Sequence, residues 1–159
     1  LYVAISTIRE MDAPAGISES SVTEWLNASI DGASGPYEWE MTAGGHSNLT
    51  FLVTDTNGRR LVLRRPPLAH GLASAHDMAR EHRIITALHR SAVPVPMTRG
   101  LCEDSDINGA PFYVMDYVAG HVLRDVASAE QLLTEQSRAR ASESLADTLA
   151  AIHHVILTP

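Results

Sequence analysis

A chain of 159 residues with 45% apolar side chains has the length of one domain and enough hydrophobic surface for one core, which excludes disorder as its resting state. Twelve basic against nineteen acidic residues leave a formal charge of -7, excluding a broad electrostatic grip on nucleic acid or on an anionic membrane. All twelve basic residues are arginine, so a Walker-type phosphate loop, a Schiff base and a lysine general base are excluded too.

The opening LYVAISTIREMDAP has no basic flank before its short apolar run, so it does not read as a signal peptide, and a loose tail is expected over 1–20. No window holds the roughly 18 uninterrupted apolar residues of a spanning helix, and a soluble chain is expected. In SVTEWLNASIDG, Val22, Trp25, Leu26 and Ile30 fall at helical spacing, with Ser21 and Glu24 as a capping box and Gly32 as a stop. Three strands are predicted next within EWEMTAGGHSNLTFLVTDTNGRRLVLRRPP, broken first over Thr42 to Asn48 and then by a turn over Asp55 to Gly58. Pro66 and Pro67 end the third, because neither can donate a ladder hydrogen bond.

A helix is predicted from about Ser74 to Arg90, with Met78, Ile85 and Leu88 on one stripe. Strands follow over Met97 to Glu103 and Phe112 to Tyr117, joined by the polar turn DSDINGA. Thr134 caps a last, long helix whose Leu145, Leu149, Ile152 and Ile156 keep an apolar face. The fold class is therefore α+β, in the order helix, three strands, helix, two strands, helix. Residues 21–118 read as one lobe, 119–127 as a linker and 128–159 as the start of a helical part.

Three features carry candidate chemistry. The loop AGGHSN reads as an ordinary turn or, over a strand that carries a cation, as backbone N–H groups and a Ser47 hydroxyl arranged around phosphate oxygens. In the third strand, period two puts Val62 and Arg64 on one face and Leu61, Leu63 and Arg65 on the other. Arg64 is then a solvated strand-end charge or a cation aimed at the loop. Glu81 is either a solvent-facing helical residue with local arginine partners or the carboxylate that fixes Arg64 against phosphate. His76, His82 and His89 lack the i, i+4 spacing of a zinc pair, and no metal site is expected from them. The single cysteine, Cys102, cannot form an internal disulfide, which fits a reducing, cytoplasmic compartment.

The run GGHSN, LVLRR, AREHRIITAL, PVP and PFYVMDYVAG resembles, from about Trp39 to Gly120, the N-terminal lobe of the aminoglycoside phosphotransferase and choline kinase-like family, of protein-kinase-like fold. It is most similar to the branch also fused to acyl-CoA dehydrogenases. The resemblance implies a sheet of about five antiparallel strands with a packed helix and flanking helices. It makes Gly44, Gly45, His46, Ser47 and Asn48 the phosphate-covering loop, Arg64 the phosphate cation where the family usually carries lysine, and Glu81 its helix partner. Met115, Asp116 and Val118 become the hinge that addresses the adenine edge, and Val62 the cover over the base. ATP or GTP with Mg2+ is the implied cofactor. The catalytic loop, the metal ligands and the site for a small-molecule hydroxyl acceptor are expected in a large lobe beyond Pro159, so this stretch alone is expected not to turn over. A non-catalytic module of the same fold that binds a nucleotide or a partner, and a purely structural domain, are the alternatives. The apolar face of the last helix also suggests self-association.

Overall fold

The computed structural model describes residues 13–42, 48–68 and 77–155. The chain runs α1 (Glu19–Ser29), β1 (Glu38–Met41), β2 (Leu49–Thr54), β3 (Arg60–Arg65), α2 (Met78–Leu88), β4 (Thr98–Cys102), α3 (Ser105–Asn108), β5 (Phe112–Asp116), α4 (Val126–Leu132) and α5 (Glu135–His153). The five strands form one antiparallel sheet in the order β1-β2-β3-β5-β4.

Strand alternation sorts the side chains onto two faces with different jobs. Phe51 and Val53 of β2, Leu61 and Leu63 of β3, and Phe112 and Val114 of β5 are buried and pack with Val22, Leu26 and Ile30 of α1 in one core. Trp25 of α1 meets the Phe112 ring edge-on, with centroids 4.9 Å apart. The opposite face carries Thr50, Val62, Arg64, Tyr113 and Met115, where Arg64 pairs in register with both Thr50 and Tyr113, and Val62 with Met115. Helix α2 packs over this second face against β4 and β5, with Met78 its only buried residue among those described. The site therefore lies on the side of the sheet that the α1 core leaves open.

The β2–β3 hairpin closes as its residue types dictate. Oδ1 of Asp55 accepts from Asn57 N and Arg59 N, both at 2.8 Å, and Gly58 takes the left-handed conformation at φ 77°. At α2 the Asp77 side chain accepts from Arg80 N at 2.8 Å. At α5 Thr134 is the cap, accepting from Ser137 N at 3.2 Å.

Four sequence expectations change. Helix α1 begins at Glu19 rather than at a Ser21–Glu24 box, because tertiary contacts set its start: Ser18 N donates to Asn108 Oδ1 at 2.8 Å, and Ile17 and Ala13 pack on the core. The segment from 13 to 18 is thus docked rather than loose, while 1–12 lie outside the described residues. The DSDINGA turn holds a single-turn helix, α3, which Asp104 caps through Asp106 N and Gly109 stops at φ 70°. Helix α4, unanticipated, starts at a reciprocal Asp125–Ser128 capping box.

Candidate functional site

Strand β3 delivers two adjacent arginines to opposite faces, and their surroundings separate their roles. Arg65 is 5% exposed on the core side, where Nη1 donates to the carbonyls of Gly16 at 2.5 Å and Asn108 at 2.8 Å. Burial lowers its pKa, and its donors tie the 13–18 segment and α3 to the sheet. Arg64 points to the α2 side, as strand parity predicts. Its Nε donates to Glu81 Oε2 at 3.2 Å, and its Nη1 lies 3.3 Å from Thr50 Oγ1.

Glu81 stands in the first turn of α2, where a carboxylate also complements the helix dipole. Its Oε1 accepts from Asn48 Nδ2 at 2.8 Å, and its Oε2 accepts from the Tyr113 hydroxyl at 3.1 Å as well as from Arg64. Asn48 is buried where its side chain donates to Glu81. Tyr113 is 1% exposed, and burial pushes its pKa well above the ordinary tyrosine value. The His82 ring approaches Tyr113 edge-on at 6.0 Å, and burial lowers the His82 pKa.

Arg64, Glu81 and Tyr113 line a cavity of about 300 Å³ with Ile84, Ile85, Pro96 and Met115. A larger cavity, about 830 Å³, lies between the end of α2 and the end of α5, lined by His82, Arg83, Thr86, Arg90 and His154 among others. Neither Arg64 nor Glu81 lines it. The smaller cavity is the functional candidate because a cation, its carboxylate and an apolar wall converge in it.

The remaining sequence-predicted residues divide cleanly. Val62 and Met115 sit side by side on the Arg64 face. Asp116 ends β5, and its carboxylate is held by Arg99 through Nε–Oδ1 at 2.7 Å and Nη2–Oδ2 at 2.5 Å, with Arg59 Nη2 at 3.9 Å. The Arg99 hydrogen bond holds the Asp116 pKa below the ordinary aspartate value. The Arg60 guanidinium stacks on the Tyr117 ring 3.7 Å from its centroid, and Val118 is 67% exposed. Gly44, Gly45, His46 and Ser47 lie outside the described residues. Tyr113, Thr50 and Arg99 were missed by the sequence reading. Parity with Met115 puts Tyr113 on the site face, and the hairpin register puts Thr50 opposite Arg64, so two of the three had a usable signal. Arg99 had none, since β4 reaches β5 only through an irregular register between Thr98 and Gly100.

Known proteins resemble this chain in sequence and in fold. The sequence profile of the Phosphotransferase enzyme family matches residues 38–158. Acyl-CoA dehydrogenase family member 10 of Mus musculus is 36% identical over 126 residues, covering 79% of this chain and 12% of that protein. Acyl-CoA dehydrogenase family member 11 of Homo sapiens is 31% identical over 137 residues, covering 84% of this chain and 17% of that protein. The chain thus spans less than a fifth of the length of these curated relatives. A crystal structure of a proposed aminoglycoside phosphotransferase from Ralstonia eutropha JMP134 superposes with a TM-score of 0.67 at 30% identity, over 85% of this chain and 37% of that one. The chain belongs to the phosphotransferase enzyme family, and its antiparallel sheet with packed helices is the N-terminal lobe of the kinase-like phosphotransferase fold.

Proposed function

We propose that this chain is the nucleotide-binding lobe of an ATP- or GTP-dependent phosphotransferase that acts on a small-molecule hydroxyl. The observation that carries the reading is the Arg64 to Glu81 pair at 3.2 Å, at the edge of an apolar patch made by Val62 and Met115. A nucleotide fits that donor set, because a base packs on apolar side chains while its phosphates need a positioned cation. In this reading Glu81 orients the Arg64 guanidinium, Arg64 meets phosphate oxygens, and the backbone from Asp116 to Val118 addresses the base edge. The loop from Gly44 to Asn48 covers the phosphates. When bound, the nucleotide supplies the phosphoryl group that is transferred.

Magnesium is expected with the nucleotide, yet the described residues hold no group of three or more carboxylates, imidazoles or thiolates placed to ligate it. Its ligands, like the general base and the acceptor site, are proposed to belong to residues outside this chain, and no step is derived through them. A second reading, a non-catalytic binding module of the same fold, is favoured by the arginine at 64. A planar fork reaches phosphate by a different geometry from a lysine ammonium.

Thermal unfolding with added nucleotide tests the proposal. ATP or GTP at 100 times its dissociation constant is expected to stabilise the chain by about 2.7 kcal/mol. No shift with either nucleotide or with non-hydrolysable analogues removes the nucleotide reading.

A further inference from the structure

Among the described residues three donors converge on the Glu81 carboxylate, and one of them is the cation it orients. Oε1 takes Asn48 Nδ2 at 2.8 Å, while Oε2 is shared by Arg64 Nε at 3.2 Å and the Tyr113 hydroxyl at 3.1 Å. Tyr113 is buried and is the register partner of Arg64 on the neighbouring strand β5. A carboxylate only accepts, so the buried phenol is fixed as the donor.

That third donor changes what the arginine can do. A guanidinium and a carboxylate left to themselves favour a bidentate fork, with two parallel N–H···O bonds. Here each Glu81 oxygen carries a donor other than arginine, Asn48 on Oε1 and Tyr113 on Oε2, and Arg64 reaches the carboxylate through Nε alone. Nη1 is anchored on Thr50 Oγ1 at 3.3 Å, and Nη2 has no protein partner among the described residues. A lysine ammonium at 64 would need no such arrangement, being a point charge without an orientation to set.

We infer that Tyr113 is a positioning residue for the triphosphate: its hydroxyl holds Glu81 so that Arg64 pairs through Nε and keeps Nη2 turned outward for a phosphate oxygen. This role rests on the nucleotide-binding reading above. Tyr113 touches no substrate; it acts through Glu81 on Arg64.

The test is Tyr113→Phe in the 159-residue chain, with dissociation constants for ATP and adenosine measured by calorimetry and the fold checked by thermal melting. ATP is expected to weaken about five- to tenfold, the effect of one oriented hydrogen bond, while adenosine changes less than about twofold. In an Arg64→Lys background the same substitution is expected to leave the ATP-to-adenosine ratio unchanged, because no fork remains to orient. Equal losses for ATP and adenosine, or the same ATP-selective loss in the lysine background, overturn the positioning role while the nucleotide reading stands. Absence of ATP and GTP binding by the unsubstituted chain overturns both together. Where Tyr113→Phe does not melt cooperatively, Thr50→Val removes the Nη1 anchor instead and is expected to give the ATP-selective loss; equal losses there overturn the inference.

Discussion

Arg64 and Arg65 are neighbours in sequence with unrelated fates, because a strand turns successive side chains to opposite faces. Arg65 is consumed by backbone carbonyls on the core side, so only Arg64 is placed to meet a ligand. Arg64→Ala is expected to weaken ATP at least about tenfold, in line with the roughly 1.5 to 3 kcal/mol of a hydrogen bond to a charged group, and to leave adenosine nearly unchanged. Paired titrations of the two ligands check it, and equal losses take Arg64 out of the phosphate site. Asp116 gives a pH prediction. Arg99 depresses its pKa, so the pair's contribution to stability is complete above the ordinary aspartate value and is lost as pH falls through the depressed one. Arg99→Gln is expected to move the Asp116 midpoint up toward the ordinary range, with Arg59 still nearby to limit the change. A carboxyl-carbon NMR titration reads that midpoint; an unmoved value refutes Arg99 as the cause.

At the scale of elements, the sheet and α1 depend on one close approach. A Cβ built on Gly100 of β4 would lie 2.9 Å from the Trp25 ring and 3.2 Å from the Ile30 side chain, so α1 rests directly on the strand backbone there. Gly100 also sits where the β4–β5 register shifts. Neither the half-buried Trp25 indole, packed on Phe112, nor the buried, β-branched Ile30 can swing away at little cost. Gly100→Ala is expected to destabilise by about 1 to 3 kcal/mol through overpacking, measured by urea denaturation. A loss below about 0.5 kcal/mol shows that α1 can lift off without penalty. Helix α2 serves another purpose: it contributes little to the core and instead holds Glu81 over the second face, with Asp77 securing the turn that carries it.

For the whole molecule, the distribution of burial is uneven. The core lies between α1 and the sheet, whereas α4 and α5 contain no buried residue and pack on each other. Leu145, Leu149 and Ile152 fall on one stripe of α5 and are each about half exposed. Self-association through this stripe is proposed on that ground, since a stripe of large apolar side chains is unusual on a solitary surface. Leu145→Glu with Leu149→Glu is expected to abolish concentration-dependent association in sedimentation velocity and to shift the melting of the sheet little. A chain already monomeric at high concentration dismisses the proposal.

Strand parity, turn chemistry and the order of motifs are local properties, which is why the hairpin at Asp55–Gly58, the opposite facing of Arg64 and Arg65, the cap at Thr134 and the phosphotransferase lobe were all legible in the residues. Position in the third dimension is not local. The start of α1 was misread because a long-range bond from Ser18 to Asn108 outweighs a capping box that looks sufficient in sequence. The arginine clamp on Asp116 and the convergence of Asn48 and Tyr113 on one carboxylate each join residues far apart in the chain. Only packing the strands and α2 together brings those groups within hydrogen-bond distance, so the sequence alone determined which side chains share a face, and the tertiary structure decided which of them touch.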